Sequence, residues 1–255
     1  MNSSPFVWYE LMTTDDQAAV AFYREVIGWK SADSGLSGMQ YTLMSAGEES
    51  VAGVMALPED ACRAGAVPAW TGYVGVADVD AKAEQLVKAG GKLLHPAQDI
   101  PGVGRFAAVA DPHGAAFCLF RGNHEEPPPQ PEAGTPGSVG WHELSAGEQN
   151  SAWDFYSSLF GWTQGEAMDM GEAGSYQLFA TGGEAVGGMM NKPEQMPRPA
   201  WLFYFRVDTL DAAVDRVKAG GGQLLNGPME VPGDEWIVQC RDPQGAMFAL
   251  VAATR

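Results

Sequence analysis

The sequence contains a tandem duplication, and this feature limits its fold more than any other. A motif near the start, Trp-Tyr-Glu-Leu at 8–11, returns as Trp-His-Glu-Leu at 141–144. Further motifs return in the same order and at nearly the same spacing: Phe22-Tyr23 as Phe155-Tyr156, Gly28-Trp29 as Gly161-Trp162, Pro68-Ala69-Trp70 as Pro199-Ala200-Trp201, and Asp111-Pro112-His113-Gly114 as Asp242-Pro243-Gln244-Gly245. A copy of this length can bury its own core, so each copy is predicted to fold as a domain.

A segment rich in proline and glutamate separates the two copies. Residues 123–138 have the sequence NHEEPPPQPEAGTPGS, which favours an extended, semi-rigid chain and cannot build a core. We therefore predict a first domain at residues 1–122, a Pro-rich linker at 123–136 and a second domain at 137–255.

Within each copy, the same order of secondary structure is predicted twice. Alternating, aromatic-rich residues at 6–12 predict a strand, and Asp15 or Asp16 then begins a helix that Gly28 ends. Further strands follow, and after Pro68 a strand, a helix at 80–89 and two more strands are predicted again. Each copy is therefore expected to be an α+β fold made of two similar modules.

The charge balance of the chain argues against several classes of partner. Its 255 residues include 15 Lys and Arg against 32 Asp and Glu, a net charge of −17. So large an acidic excess repels nucleic acid and anionic lipid surfaces. The sequence also lacks an apolar run near the ~20 residues that a membrane span needs. We expect neither nucleic acid nor a membrane as a partner.

Cysteine usage and the first residues predict a cytoplasmic protein. Cys62, Cys118 and Cys240 form an odd set without a Cys-x-x-Cys pair, which suits a reducing compartment. The first basic residue is Arg24, so the charged start of a secretory signal is not expected.

The combined motifs carry a resemblance to a known superfamily. A βαβββ unit used four times, with Phe-Tyr and Gly-Trp at the helix end and a closing Asp-Pro-x-Gly turn, resembles the vicinal oxygen chelate superfamily. That superfamily includes glyoxalase I, bleomycin-resistance proteins and extradiol dioxygenases, and the chain looks most like its two-domain, glyoxalase-like members of the hydroxylase type. The resemblance implies that paired modules curl a mixed sheet into a cup, with the ligand inside and the helices outside.

The resemblance also implies positions for metal ligands, and these positions hold unsuitable residues. In metal-dependent members, His, Glu or Gln lie at the start of the first strand of each module and near the end of a later strand. The corresponding residues are Trp8, Thr71 and Cys118 in the first copy and Trp141, Leu202 and Ala249 in the second. A tryptophan indole only donates hydrogen bonds and cannot bind a divalent ion. We therefore predict no metal site and no cofactor, while loop residues that supply a divalent ion remain the alternative.

Strand periodicity then selects the residues that face the predicted cup. If residue 8 points inward, every second residue of its strand and of the partner strand does so as well. The predicted inward residues with chemical or stacking potential are Trp8, Glu10, Tyr73, Trp141, Glu143, Tyr204 and Arg206. We expect Glu10 to meet Tyr73 and Glu143 to meet Tyr204, with Arg206 as a further charge partner in the second copy.

Two interpretations of these residues stay open. As catalytic residues, Glu10 and Glu143 act as general bases, because a carboxylate in an apolar cup loses solvation. As structural residues, the same glutamates accept hydrogen bonds from tyrosines and hold two modules together. The tryptophans have the same two interpretations, core packing or stacking on a ligand: Trp8, Trp70, Trp141 and Trp201.

The sequence thus predicts a glyoxalase-like protein that binds a small, partly apolar or aromatic molecule. The resemblance implies lyase, isomerase or oxygenase-type chemistry, with Tyr73 or Tyr204 donating to a developing oxyanion. The alternatives are sequestration of a small molecule without chemistry, as in drug-binding members, and a purely structural or interaction module. Whether the protein is an enzyme, and its oligomeric state, are left open by the sequence.

Overall fold

A computed structural model describes residues 3–36, 38–63, 65–123 and 131–255. The elements of the first repeat are β1 (Phe6–Thr13), α1 (Asp16–Ile27), β2 (Lys30–Asp33), β3 (Thr42–Ala46), β4 (Glu49–Ala56), α2 (Glu59–Arg63), β5 (Ala69–Gly75), α3 (Val79–Lys88), β6 (Lys92–Ile100), β7 (Gly104–Ala110) and β8 (Ala116–Gly122). Those of the second are β9 (Val139–Ala146), α4 (Gln149–Phe160), β10 (Thr163–Asp169), a 3-10 helix (Gly171–Ala173), β11 (Ser175–Ala180), β12 (Ala185–Asn191), β13 (Ala200–Arg206), α5 (Leu210–Ala219), β14 (Gln223–Val231), β15 (Glu235–Arg241) and β16 (Met247–Ala252).

The predicted start and end of the first helix are confirmed. The Asp15 side chain accepts a hydrogen bond from the Ala18 N–H at 2.9 Å, which satisfies one of the free donors of the first turn. Gly28 ends the helix with φ +90°, a left-handed conformation that glycine adopts without steric cost. The apolar spacing between them buries one face of α1, which includes Phe22 and Tyr23.

The strands form two mixed eight-stranded sheets, one in each repeat. The orders are β2-β3-β4-β1-β5-β8-β7-β6 and β10-β11-β12-β9-β13-β16-β15-β14. In both sheets the first strand of each module pairs in parallel with the last strand of that module: β1 with β4, β5 with β8, β9 with β12 and β13 with β16. The other pairs within the modules are antiparallel. The predicted α+β class with two tandem, two-module repeats is therefore confirmed.

The contacts of the chain divide it into two compact units, and each unit takes segments from both repeats. Unit I consists of Met1–Trp8, Thr71–Pro128 and Trp141–Trp201. Unit II consists of Tyr9–Trp70, Pro129–Gly140 and Leu202–Arg255. Each unit thus holds one module of each repeat, an exchange that the linear order of the motifs does not reveal.

A buried hydrogen-bond chain joins the two repeats within unit II. The Trp70 indole N–H donates to the Tyr23 hydroxyl at 2.9 Å, and that hydroxyl donates to Asp242 Oδ2 at 3.0 Å. Burial raises the pKa of the Tyr23 phenol well above its usual value, so it keeps the proton that it donates. Asp242 belongs to the second repeat, whereas Tyr23 and Trp70 belong to the first.

The Asp242 carboxylate also organises its own turn. Its Oδ1 atom accepts three backbone N–H groups, those of Gln244, Gly245 and Ala246, at 2.8 to 3.0 Å. Burial raises the pKa of the Asp242 carboxyl, and these donors together with the Tyr23 hydroxyl oppose that rise. One side chain therefore satisfies the turn and anchors a helix from the other repeat.

Unit I contains the equivalent chain with the repeats exchanged. The Trp201 indole donates to Tyr156 at 3.1 Å, and Tyr156 donates to Asp111 Oδ2 at 3.4 Å. Asp111 Oδ1 accepts the N–H groups of the next turn, those of His113, Gly114 and Ala115, at 2.7 to 2.9 Å. Here the aspartate comes from the first repeat and the tyrosine and tryptophan from the second.

The segment that leads into each repeat also contacts the other repeat. In unit I the Trp162 indole donates to the Ser4 carbonyl at 2.7 Å, and in unit II the Trp29 indole donates to the Gly137 carbonyl at 2.8 Å. Ser4 and Gly137 are themselves equivalent, since each lies at the same distance before the Trp-x-Glu-Leu motif of its repeat. The Gly-Trp motif at the end of each first helix thus binds the leading segment of the opposite repeat.

Residues 124–130 of the predicted linker at 123–136 lie outside the described residues. The division into domains at 1–122 and 137–255 stays a prediction. In the described part of the chain no helix has the length and apolar character that a bilayer crossing requires.

The aspartate chain generates a stability prediction. We expect Asp242→Ala to lower the free energy of unfolding by about 3 kcal/mol or more, because it strands buried backbone donors and the Tyr23 hydroxyl. Chemical denaturation measures the change. Asp33→Ala is the control, since Asp33 accepts a single backbone N–H at an exposed turn, and we expect it to cost under about 0.5 kcal/mol. Equal effects of the two substitutions would contradict the prediction.

Candidate functional site

The two glutamates of the predicted site lie on the first strand of each repeat. Glu10 on β1 is buried, with 8% of its surface exposed, and Glu143 on β9 is half-buried. Their neighbours Leu11 and Leu144 are fully buried. Strand periodicity predicts that burial alternates from residue to residue. This alternation is clearest on β9, where half-buried and buried residues alternate from Trp141 onward.

A tyrosine that the sequence analysis did not identify contacts Glu143. The Tyr176 hydroxyl donates to Glu143 Oε2 at 3.2 Å and accepts the Trp141 indole N–H at 2.7 Å. Since the indole is only a donor and the phenol has one proton, this proton must go to the carboxylate. Burial, and then the charge of Glu143, raise the pKa of the Tyr176 phenol, so it stays protonated and able to donate.

The position of Tyr176 depends on a glycine in the strand between it and Glu143. Gly188 on β12 pairs with Glu143 on one side and with Leu178 of β11 on the other. Tyr176 precedes Leu178 by two residues and therefore extends from the same face of β11. A Cβ at Gly188 would overlap the Tyr176 ring. The Tyr176 phenol thus crosses β12 over a glycine, which has no side chain in its way.

Tyr73 lies among aromatic side chains of unit I. Its ring centroid is 6.4 Å from that of Phe106 and 6.1 Å from that of Phe120. The exposed His95 ring lies parallel to Phe106 at 5.8 Å. This face of the strands β5 to β8 is aromatic, as a surface for a partly aromatic ligand requires.

Tyr204 and Arg206 have polar partners in unit II. The Tyr204 hydroxyl accepts a hydrogen bond from Gln239 Nε2 at 2.8 Å, a bond that does not use the phenol proton. Arg206 forms a short, partly buried ion pair with Glu235. The partner of Arg206 is thus a carboxylate on β15, which the sequence analysis did not single out. The pairings of Glu10 with Tyr73 and of Glu143 with Tyr204 stay predictions.

The four candidate tryptophans occupy two kinds of environment. Trp70 and Trp201 are 6% and 7% exposed and belong to the buried chains that end on Asp242 and Asp111. Trp8 and Trp141 are half-buried on β1 and β9. Of the four, these two have side-chain surface left for a ligand, while Trp70 and Trp201 support the core.

His142 lies next to Glu143 in sequence but has a structural environment. It is 7% exposed, stacks on Phe6 with ring centroids 4.5 Å apart, and contacts the Val186 carbonyl through Nδ1 at 2.7 Å. Burial lowers the pKa of its imidazole to about 4, against the opposing effect of the carbonyl. Because the carbonyl only accepts, the neutral ring carries its proton on Nδ1.

The donor set does not fit the divalent ion that the resemblance implies. Among the described residues, groups of three or more His, Cys, Asp or Glu side chains in a metal-binding arrangement do not occur. The implied positions hold two indoles, two aliphatic side chains, a threonine and the buried Cys118, a set without the imidazoles and carboxylates that hold catalytic metals. The expectation of no cofactor stays a prediction.

The residue that sequence reasoning missed does leave a signal in the sequence. Tyr41 and Gly53 of the first repeat return as Tyr176 and Gly188, with the same spacing between them. A tyrosine and a strand glycine that keep one spacing in both copies indicate a paired contact. Their offset between the copies is slightly larger than that of the motifs that reveal the duplication, so a comparison at the offset of those motifs does not align them.

A family model matches both repeats. The description of that family is the Glyoxalase/Bleomycin resistance protein/Dioxygenase superfamily, and the matches cover residues 6–119 and 138–250. The chain is 34% identical over 247 residues to "Putative glyoxylase CFP32" of Mycobacterium tuberculosis (strain CDC 1551 / Oshkosh), covering 96% of this chain and 93% of that protein. It is 31% identical over 269 residues to "Anthracycline biosynthesis protein DnrV" of Streptomyces peucetius, covering 96% and 91%.

Solved structures share the fold at low sequence identity. The 2,3-dioxygenase LapB from Pseudomonas sp. KL28 superposes with a TM-score of 0.68 at 13% identity, covering 100% of this chain and 94% of the other. The Mn(II)-bound glyoxalase from Novosphingobium aromaticivorans gives a TM-score of 0.67 at 14% identity, covering 100% and 83%. Likeness at this level of identity concerns the fold alone.

The buried imidazole generates a pH prediction. Because the pKa of His142 is about 4 in the folded chain and 6.5 ordinarily, the unfolded chain binds the proton first as the pH falls. We expect the free energy of unfolding to decrease between pH 6.5 and pH 4, with about 3 kcal/mol of the decrease due to His142.

Denaturation curves at several pH values measure this contribution. His142→Tyr is the matched variant, since Tyr9 occupies the equivalent buried position of the first repeat. We expect the free energy of unfolding of the variant to lack the decrease between pH 6.5 and pH 4 that is due to His142. This expectation does not depend on the stability of the variant at pH 7. Parallel pH curves for the natural chain and the variant would show the prediction to be wrong.

Proposed function

Because this chain belongs to the Glyoxalase/Bleomycin resistance protein/Dioxygenase superfamily, we propose that it binds a small, partly apolar or aromatic molecule and transfers a proton on it. Glu10 and Glu143 take a proton from a carbon next to a carbonyl, as lyase or isomerase chemistry requires. Tyr73 and Tyr204 donate to the oxyanion that develops. Trp8 and Trp141 provide surface for the apolar part of the ligand.

The observation that carries the proposal is the hydrogen-bond chain from Trp141 through Tyr176 to Glu143. A general base must be ionised before it takes a proton, and partial burial works against ionisation. A phenol proton directed at the carboxylate favours the charged form, because hydrogen bonds to a charged group stabilise it. Glu143 is thus held as a base within an apolar strand environment.

The phenols proposed as donors are both buried, with Tyr73 at 5% and Tyr204 at 1% exposure. Gln239 donates to the Tyr204 oxygen at 2.8 Å, and Tyr204 is the acceptor in that bond. Tyr73 lies near the rings of Phe106 and Phe120, which supports an aromatic ligand. A phenol carries one proton that it can donate.

The relatives support a small-molecule function in general terms. One relative is named a glyoxylase, and another is named for anthracycline biosynthesis. We propose proton transfer over oxygenase chemistry, because the donor set of the described residues does not fit a catalytic metal. Cys62, Cys118 and Cys240 are free thiols, which supports the proposed cytoplasmic location.

The experiment begins with a ligand screen on the natural chain. Thermal shift with aldehydes, glutathione adducts and aromatic antibiotics identifies a ligand, and product analysis tests whether a bond changes. Elemental analysis of protein purified without chelator tests the metal. Binding without any product would contradict the general-base role and support sequestration.

Substitution of the glutamates tests the proposed base. We expect the combined Glu10→Gln, Glu143→Gln variant to lower turnover about 100-fold or more and to keep the thermal shift with ligand, because glutamine keeps the shape and loses the base. Each single variant should keep the turnover of the other repeat.

Glu84→Gln is the control, since Glu84 is exposed on α3. Full turnover in the double variant would contradict the proposal.

A further inference from the structure

The register of the strands around Glu10 repeats that around Glu143. Glu10 pairs with Gly53 of β4, as Glu143 pairs with Gly188 of β12. Gly53 pairs with Leu43 of β3 on its other side. Tyr41 precedes Leu43 by two residues, as Tyr176 precedes Leu178. The first repeat therefore places a tyrosine at the same register relative to its glutamate, although Tyr41 directly precedes β3 and Tyr176 lies within β11.

The glycine in this arrangement has the same relation to the phenol. A Cβ at Gly53 would overlap the hydroxyl and the ring of Tyr41. Neither Gly53 nor Gly188 has a positive φ, so backbone conformation does not require glycine at these positions. Close approach of a side chain is the remaining reason for a glycine inside a strand.

The phenol has the length to cross one strand. Neighbouring strands lie ~4.8 Å apart and successive residues advance ~3.4 Å, so Tyr41 is two strand spacings across and two residues along the strand direction from Glu10 at the backbone. Gly53, which lies on the strand between them, has no side chain, and the Tyr41 hydroxyl lies over it. Tyr41 and Glu10 are both 8% exposed, and a carboxylate at that depth needs donors.

We propose that Tyr41 and Tyr176 are the positioning residues of Glu10 and Glu143, and that Gly53 and Gly188 are required because they let each phenol reach its carboxylate. The bond from Tyr176 to Glu143 is observed at 3.2 Å, and the matching register assigns the same bond from Tyr41 to Glu10. The proposal rests on the proposed function, since it names what holds the two bases.

The consequence is that both repeats hold an ionised glutamate by the same device. Each phenol proton favours the charged form of its carboxylate. Burial raises the pKa of the Tyr176 phenol, which keeps it a donor over the physiological pH range. Removing one hydroxyl should therefore make one glutamate harder to ionise and leave the other unchanged.

The experiment titrates the glutamates of the whole, ligand-free protein. Glutamate labelled with ¹³C at the side-chain carboxyl gives NMR signals that shift with ionisation, and loss of a signal in Glu10→Gln or Glu143→Gln assigns it. We expect Tyr176→Phe to move the Glu143 midpoint upward by about one to two pH units, the effect of one hydrogen bond to a charged group. We expect Tyr41→Phe to do the same to Glu10 alone.

Two control substitutions separate positioning from general damage. Tyr156→Phe removes a buried hydroxyl from another Trp–Tyr–acid chain of unit I, and it should leave both midpoints unchanged.

Gly53→Ala and Gly188→Ala should shift the same midpoints as the phenylalanine variants. Gly122→Ala is their control, because a Cβ there would lie 3.7 Å from Phe120, an ordinary contact, and it should shift neither midpoint. If an alanine variant does not fold, the phenylalanine variants still decide.

The outcomes for the two proposals are distinguishable. An unshifted Glu10 midpoint in Tyr41→Phe, or an unshifted Glu143 midpoint in Tyr176→Phe, overturns the positioning proposal even if the Glu10→Gln, Glu143→Gln double variant has lost turnover. Suppose instead that the midpoints shift but the Glu10→Gln, Glu143→Gln double variant keeps full turnover. This result supports the positioning proposal and overturns only the general-base role of the glutamates.

Discussion

The fold depends on a buried aspartate that accepts a tyrosine hydroxyl from the other repeat. Asp242 satisfies three backbone donors of its own turn with one oxygen and holds Tyr23 with the other. Asp111 and Tyr156 form the same contact in unit I. A buried carboxylate without these donors would be very costly, so the turn and the helix of the opposite repeat require each other.

This interaction explains why three motifs recur together in the sequence. Phe-Tyr supplies the phenol, Pro-Ala-Trp supplies an indole that donates to it, and Asp-Pro-x-Gly supplies the carboxylate. The Gly-Trp motif binds the leading segment of the opposite repeat through its indole. The motifs of one copy are therefore completed by groups from the other copy, and the four together form the cores of units I and II.

The chain uses one arrangement of donors for two purposes. In the core, tryptophan, tyrosine and aspartate form a buried chain whose acid is also fixed by backbone N–H groups. Trp141 and Glu143 of β9 form the same kind of chain with Tyr176 of β11, but Glu143 is half-buried. Glu143 has a longer side chain and greater exposure than the two aspartates, and the proposed function assigns it chemistry for this reason.

The sequence by itself determined the features that depend on local pattern. The duplication, the helix that begins after Asp15 and ends at Gly28, and the α+β class follow from spacing and capping, because these depend on neighbours along the chain. The motifs that support the resemblance to the superfamily are likewise short and local in the sequence. Strand periodicity also identified Glu10 and Glu143 as candidates, since it predicts which side of a strand a residue occupies.

Only the tertiary structure decided which residues meet. The two-residue period of a strand predicts which face a side chain occupies, but not which side chain it contacts. The contact of Glu143 depends on the parallel pairing of β9 with β12 and on Gly188, which lets Tyr176 cross β12. Trp70 and Trp201, candidates for ligand stacking in the sequence, instead support buried tyrosines. Tyr23 and Asp242 are 219 residues apart, and their contact depends on packing that joins distant segments, which local sequence pattern does not encode.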